Sequence, residues 1–312
     1  MKISVIVPCY NEELVIEKLY NRLIDILSIY KDYEVIFVND GSDDNTEYII
    51  DKYQENNNNI KLYSFSRNFG HQAAVSCGIL KASGDIAIII DADLQDPPEL
   101  IPSMIDEYIK SKSNVIYAKR ISREGENFLK KITSNLFYRL INLLSDIKFP
   151  IDTGDFRLID KNVIDAYKQF KENPKYIRGL ISWMGFKQQA FLYNRKPREA
   201  GKTKYTYKKM FNLALTGIIS FSTKPLRISL ILGVLSILLG IILSFYIFIK
   251  YFFFNADIIK GWSSIMITVI FMGGVQLLSL SVISEYLSKI YEQIKNRPEF
   301  IIKNKEDRNY EK

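Results

Sequence analysis

The chain has 312 residues, 47% hydrophobic, 13% aromatic and 25% charged, which supplies a sizeable core and excludes an intrinsically disordered chain. Its formal charge of +7 at pH 7 points to an anionic partner: nucleic acid, a phosphorylated substrate or a membrane surface. A single histidine, His71, excludes a two- or three-histidine zinc site, and Cys9 and Cys77 have neither metal nor disulfide spacing, which predicts a reducing compartment.

The N-terminal apolar run is cut short by Tyr10, Asn11 and Glu12, so no signal peptide is expected. Up to about residue 120, short β-branched runs alternate with amphipathic stretches, the pattern of a mostly parallel sheet covered by helices. Strands are predicted at Ile3–Val7, Glu34–Val38, Lys61–Phe65 and Asp85–Ile90, and helices at Glu13–Tyr30 and Asp43–Tyr53.

The composition changes after Arg227. Ile228–Ile249 and Gly261–Ser284 carry no charge over 22 and 24 residues, each long enough to cross about 30 Å of hydrocarbon as a helix. The mean hydropathy of −0.03 thus averages a charged part and an apolar part. Lysines and arginines crowd the outer flanks of the two stretches, including Lys208, Lys209, Lys224, Arg227, Lys289, Lys295 and Arg297. The loop between them carries only Lys250 and Lys260 with Asp257, which predicts that both termini are cytoplasmic. The uncharged run from Met210 to Thr223 is too short to span and reads as a helix in the membrane interface. The resulting division is a cytosolic domain at 1–209, an interface helix at 210–227, spans at 228–254 and 261–285, and a cytosolic tail at 286–312.

Three strand ends carry acids: Val7-Pro8-Cys9-Tyr10-Asn11-Glu12, Val38-Asn39-Asp40-Gly41-Ser42 and Ile90-Asp91-Ala92-Asp93-Leu94-Gln95-Asp96. In a doubly wound sheet such ends line one crevice where ligands bind. Asp91 and Asp93, two positions apart on an extended backbone, would project to one side and share a hard cation with phosphate oxygens, with Gln95 in the same parity. A dinucleotide-type G-x-G-x-x-G is missing after the first strand, and Gly201-Lys202-Thr203 lacks the first glycine and the preceding strand of a P-loop.

The set of motifs resembles the family-2 glycosyltransferases with a nucleotide-sugar-binding GT-A domain, and within them the polyprenyl-phosphate glycosyltransferases. The motifs are SVIVPCYNE at 4–12, VNDGSDDNT at 38–46, FSRNFGHQAA at 65–74, DADLQDPPE at 91–99, DTGDFRL at 152–158, YIRGLISWMGF at 176–186, REAGKTKY at 198–205 and ISEYLSKIYEQIKNRP at 283–298. The resemblance implies that Pro8, Tyr10, Glu12 and Asp40, with Asp91, bind the nucleotide. It implies further that Asp91, Asp93 and Gln95 hold Mg²⁺ or Mn²⁺ against the diphosphate. Asn39 departs from the family, many members of which have a second aspartate there, and this leaves the base open. Asp155 is the implied base-like carboxylate, read here as orienting hydroxyls and stabilising positive character at the anomeric carbon, with an ion pair to Arg157 as its alternative role.

The implied activity is inverting transfer of one sugar, glucose from UDP by expectation, to undecaprenyl phosphate at the inner face of the cytoplasmic membrane, with GDP-mannose as the alternative donor. A dianionic acceptor calls for a phosphate clamp, for which Arg120, Arg123, Lys130 and Lys131 with Ser134 are the candidates. Arg195, Arg198, Lys202 and Lys204 with Tyr205 form a second basic loop for the diphosphate or lipid head groups. Arg178 and Trp183 are candidates for the sugar pocket, and His71 is divided between packing and ligand contact. A processive synthase is disfavoured because no Q-x-x-R-W occurs, a non-catalytic scaffold because Asp91, Asp93 and Asp155 are intact, and nucleic acid because the basic residues gather near the apolar segments. The sequence leaves homo-oligomerisation open.

Overall fold

A computed structural model describes residues 1–120, 153–173, 175–193, 222, 224–254 and 261–304. The described residues divide into two units, one holding those up to 193 together with 297–304, the other those from 222 to 296.

In the first unit seven strands, β1 (Ile3–Cys9), β2 (Tyr33–Asn39), β3 (Ile60–Ser64), β4 (Ile86–Ile89), β5 (Val115–Arg120), β6 (Thr153–Asp160) and β7 (Gln188–Tyr193), form one sheet in the order β3-β2-β1-β4-β6-β5-β7. The pairs β1–β2, β2–β3, β1–β4 and β5–β7 are parallel, whereas β6 runs antiparallel to both β4 and β5. β-Branched runs with no polar face, such as ISVIV in β1, suit a strand buried on both sides. Among the described residues this unit has six α-helices, α1 (Ile16–Leu27), α2 (Thr46–Asn56), α3 (His71–Lys81), α4 (Ile101–Ser111), α5 (Lys161–Tyr167) and α6 (Ile177–Trp183).

One face of the sheet packs Ile3, Val5, Val7, Val35 and Phe37 against Ile16, Leu19, Leu23 and Leu27 of α1 and Ile101, Met104 and Ile105 of α4, all buried. Strand alternation sends Ile6 to the opposite face, where α3 approaches so closely that a Cβ at Gly78 would lie 2.1 Å from Ile6 Cγ2. The expected helix at Glu13–Tyr30 is shorter at both ends, and the one expected at Asp43–Tyr53 starts at Thr46. The first residues of each form turns that bind one another instead.

Residues 297–304, expected as a tail, belong to this first unit. Phe65 and Ile302 form an antiparallel bridge, Ser66 N donates to Ile301 O at 2.9 Å, Lys303 N donates to Ser64 O at 2.8 Å, and the rings of Phe65 and Phe300 stack at 4.9 Å. The segment thereby covers the end of the edge strand β3, whose backbone would otherwise be open to pairing.

The second unit contains two long helices, α7 (Lys224–Phe254) and α8 (Trp262–Ile294). Among the described residues, Thr268–Ile294 is long and apolar enough to cross a membrane, while α7 contributes a shorter apolar stretch, Leu226–Ile242. The Tyr286 hydroxyl donates to Ser222 O at 2.7 Å.

Candidate active site

The order of the strands reverses at β1, between β2 and β4, so their carboxyl ends border one crevice. Pro8 is buried in β1 opposite Val38, and Tyr10 and Glu12 lie half-buried on the turn that follows. That turn is laced to the one after β2. Asn11 N donates to Ser42 Oγ at 3.0 Å, Asp43 N to Asn11 Oδ1 at 2.9 Å, Glu12 N to Thr46 Oγ1 at 2.9 Å, and Glu13 N to Asp44 Oδ2 at 3.1 Å. Side chains thus satisfy backbone donors that the β–α turns leave open. The Cys9 thiol beneath is inert, its pKa pushed well above the usual thiol value by burial and by Glu12, Asp44 and Asp91.

Asp40, expected at the nucleotide, is 3% exposed, and its carboxylate accepts from Phe69 N at 2.7 Å and Gly70 N at 2.9 Å. Burial raises its pKa, partly offset by these bonds. It builds the loop ahead of α3. Gly41, with φ of +66°, lets the two loops meet, since a Cβ there would lie 2.4 Å from Arg67 C. Gly70, at φ +104°, then turns the chain into the first helical residue, His71.

The antiparallel strand β6 completes the site. The β4–β6 pairing ends at Ile89 and Arg157, each two residues from an acid, Asp91 and Asp155. His71 Nε2 lies 3.0 Å from Asp155 Oδ2 and 3.7 Å from Asp91 Oδ1. Arg178, the second residue of α6, grips Asp155 in a fork, Nε to Oδ1 at 2.7 Å and an η nitrogen to Oδ2 at 3.0 Å. Arg157, the partner anticipated from the sequence, stands 3.9 Å from Asp155 Oδ1 and donates mainly to Gly154 O at 3.1 Å. Asp155 therefore carries charge firmly: burial acts to raise its pKa, but Arg178 and His71 hold it well below the usual carboxylate range. Burial acts to lower the His71 pKa, yet Asp155 and Asp91 raise it to about 9, so the ring is an imidazolium at neutral pH.

Asp91 is the odd member. Burial, reinforced by Asp155, Asp96 and Asp93 against the opposing His71, raises its pKa to about 6. Its Oδ1 is buried and accepts no hydrogen bond. A buried oxygen in that condition, with Asp93 two residues on, suits a hard divalent cation. The segment is not extended as the spacing predicts: β4 ends at Ile89, Leu94 takes φ +57°, and Gln95 N donates to Asp93 Oδ1 at 3.1 Å. Gln95 thus meets Asp93 through its backbone, and the parity argument for a three-residue ligand set fails. Among the described residues no group of three or more His, Cys, Asp or Glu is disposed to hold a metal. Asp96, fully buried, accepts from the Tyr193 hydroxyl and ties the end of β7 to this turn.

Trp183, at the far end of α6 from Arg178, meets the Phe170 ring edge-on at 5.6 Å and is 60% exposed. It lines a cleft of about 360 Å³ with Phe170, Met184 and Phe186, and its described contacts do not include the acidic cluster. Arg120 ends β5, while Arg123, Lys130, Lys131, Ser134, Arg195, Arg198, Lys202, Lys204 and Tyr205 lie outside the described residues, as do 210–221 and 223 of the expected interface helix, whose last four residues begin α7. His71 is the residue whose central place the sequence does not announce.

Residues 4–168 match the family described as Glycosyl transferase family 2. The chain is 46% identical over 302 residues to the uncharacterized glycosyltransferase YkcC of Bacillus subtilis, covering 96% of this chain and 92% of that one. It is 38% identical over 310 residues to the bactoprenol glucosyl transferase of Shigella phage SfV, covering 99% and 100%. Among solved structures it resembles glucosyl-3-phosphoglycerate synthase from Mycobacterium tuberculosis, crystallised with Mn²⁺, UDP and glucosyl-3-phosphoglycerate, at 17% identity and a TM-score of 0.46 over 70% of this chain and 77% of that one.

Proposed function

Since the chain belongs to glycosyl transferase family 2 and is a hexosyltransferase, we propose that it moves one glucose from UDP-glucose to undecaprenyl phosphate at the cytoplasmic face of the membrane. The observation that carries this reading is the Asp91–His71–Asp155–Arg178 cluster at the strand crossover, with one carboxylate locked in its ionised form and the other under-neutralised.

The acceptor is a phosphate monoester whose second pKa is about 6, so near neutrality it attacks as a dianion and needs no strong base. Its oxygen forms a bond to the anomeric carbon while the bond from that carbon to the diphosphate oxygen breaks. The electron pair leaves with UDP, and in-line displacement inverts the configuration. Asp155, already engaged by Arg178 and His71, is a poor proton acceptor; it supplies fixed negative charge near the carbon that becomes positive. His71 separates Asp155 from Asp91, and the Asp40-built loop holds that ring in place. Asp91 and Asp93 would hold Mg²⁺ or Mn²⁺, which would supply the charge neutralisation that makes the diphosphate a competent leaving group.

The membrane reading has its own support. The first unit includes residues on both sides of the apolar segments, so a chain leaving it and returning crosses a bilayer an even number of times. With Thr268–Ile294 read as one span and α7 as the second, the basic outer flanks support a topology with the first unit and both termini cytoplasmic.

The test is transfer of labelled sugar to undecaprenyl phosphate by the purified full chain with Mg²⁺ or Mn²⁺, comparing UDP-glucose with GDP-mannose. Turnover that is lost in Asp93→Ala and on chelation supports the reading. Full activity in that variant sinks the metal assignment, and no lipid-linked product with UDP-glucose sinks the donor and acceptor.

A further inference from the structure

Glu299 lies beyond α8 in sequence but inside the unit that holds the active acids. Its Oε2 accepts from Ser76 Oγ at 2.8 Å and stands 3.1 Å from Lys175 Nζ, the two charged side chains being 10% and 7% exposed. Ser76 belongs to α3, the helix that begins with His71. Lys175 belongs to the short lead into α6, the helix that carries Arg178. The same two elements therefore meet twice: at Asp155, through His71 and Arg178, and again at Glu299. Between those junctions Ile177 N donates to Gln72 Oε1 at 3.2 Å.

Glu299 is delivered to this place with little freedom. Asn173 Nδ2 donates to Arg297 O at 2.8 Å on one side of it, and on the other Phe300 stacks on Phe65 and Ile301 accepts from Ser66. Phe65 and Ser66 open the loop that Asp40 holds and that ends at His71. A buried ion pair bonded also to a hydroxyl is a poor general stabiliser but fixes one geometry, because no shifted packing satisfies all three groups.

We propose that Glu299 is a positioning residue for the transfer reaction: by joining Ser76 to Lys175 it sets the spacing of α3 and α6 at which His71 and Arg178 both reach Asp155. The segment following the membrane-spanning helix is then part of the catalytic apparatus. The kinetic form of the proposal rests on the transferase reading given above.

The experiment uses the full chain in detergent or bilayer discs. Glu299→Gln keeps the size of the side chain and an acceptor for Ser76 while removing the charge. Its kcat should fall roughly tenfold with the KM for UDP-glucose within about twofold, as expected for a misplaced group that does not touch the donor. The charge-swapped pair Lys175→Glu with Glu299→Lys should recover kcat, and Glu299→Gln should cost nothing more in an Arg178→Ala background. An unchanged kcat, or an equal loss in that background, overturns the proposal. If Glu299→Gln does not fold, Ser76→Ala and Lys175→Gln take its place with the same readings. Should the wild type show no turnover, the transferase reading fails by itself. Amide hydrogen exchange then decides: faster exchange over Ile177–Trp183 and Gln72–Ser76 in the variant supports the role, and unchanged exchange overturns it.

Discussion

His71 joins Asp91 and Asp155: its Nε2 lies 3.7 Å from Asp91 Oδ1 and 3.0 Å from Asp155 Oδ2. Two acids this close repel unless something positive intervenes, and here the chain provides one histidine and one arginine fork. The balance is unequal: Asp155 receives both cations, and Asp91 keeps an unbonded oxygen.

Removing the histidine should expose that imbalance. His71→Ala leaves the two carboxylates facing each other, so the metal-free protein should melt lower than wild type, and Mn²⁺ should raise the melting temperature of the variant more than that of wild type. Thermal melts with chelator and with Mn²⁺ measure both. Equal metal-induced shifts would mean that Asp91 does not feel the ion.

The arginine fork makes a different demand. Lysine at 178 keeps the charge but cannot bond both oxygens of Asp155 at 2.7 and 3.0 Å, so Arg178→Lys should lower kcat by roughly ten- to a hundredfold. Substrate affinity should change far less, because Asp155 stays ionised but loses its fixed orientation. Steady-state kinetics with the nucleotide sugar varied separate the two effects. A large rise in KM at constant kcat would instead place Arg178 on the donor.

The parallel half of the sheet was legible because β1, β2 and β4 are β-branched runs ending in polar residues, and burial on both faces leaves such runs few alternatives. Strand β6 was not legible. Its sequence TGDFRLID has a glycine second and mixes acids with arginine, and the partners of its buried Asp155, Arg178 and His71, lie far away in the chain. Asp155 could be picked out by resemblance, but nothing local pairs it with a histidine 84 positions earlier. Asp40 shows a second role that its place at a strand end does not announce: its carboxylate accepts from the backbone of the next loop. Residues 297–304 read as a tail because they carry charges, whose partners, Lys175 and Glu47, lie more than a hundred residues upstream.

Asn39 now has a physical reason to be an amide. Its Nδ2 donates to Glu47 Oε2 at 3.3 Å and Ser64 Oγ at 3.4 Å, while its Oδ1 accepts from Ser42 Oγ at 2.6 Å. An aspartate would set a second buried carboxylate against Glu47. Asn39→Asp should therefore lose about 1–3 kcal/mol of stability at neutral pH, the cost of leaving buried acceptors facing each other. Urea unfolding measures this, and a neutral outcome would show that Lys303, 3.4 Å from Glu47, absorbs the extra charge.

At the opposite end of the sheet, remote from the site, Glu34 makes part of the fold's stability depend on pH. It is 2% exposed and receives bonds from Ser4 Oγ at 2.6 Å, Lys61 Nζ at 2.5 Å, and Ser83 N and Oγ at 2.8 and 2.9 Å. Burial alone would raise its pKa, but these donors outweigh it and lower the value to about 2. A carboxyl whose folded pKa lies below its unfolded value of 4.5 stabilises the protein fully above that value, and the contribution disappears as pH falls through about 2. Glu34→Gln should accordingly cost on the order of 2–3 kcal/mol at pH 7. The difference from wild type should shrink as the pH is lowered below about 4.5 and close near pH 2. Urea titrations of both proteins across that range follow the difference directly. A penalty independent of pH would assign the loss to packing, and no penalty would mean that Lys61 gains nothing from its partner.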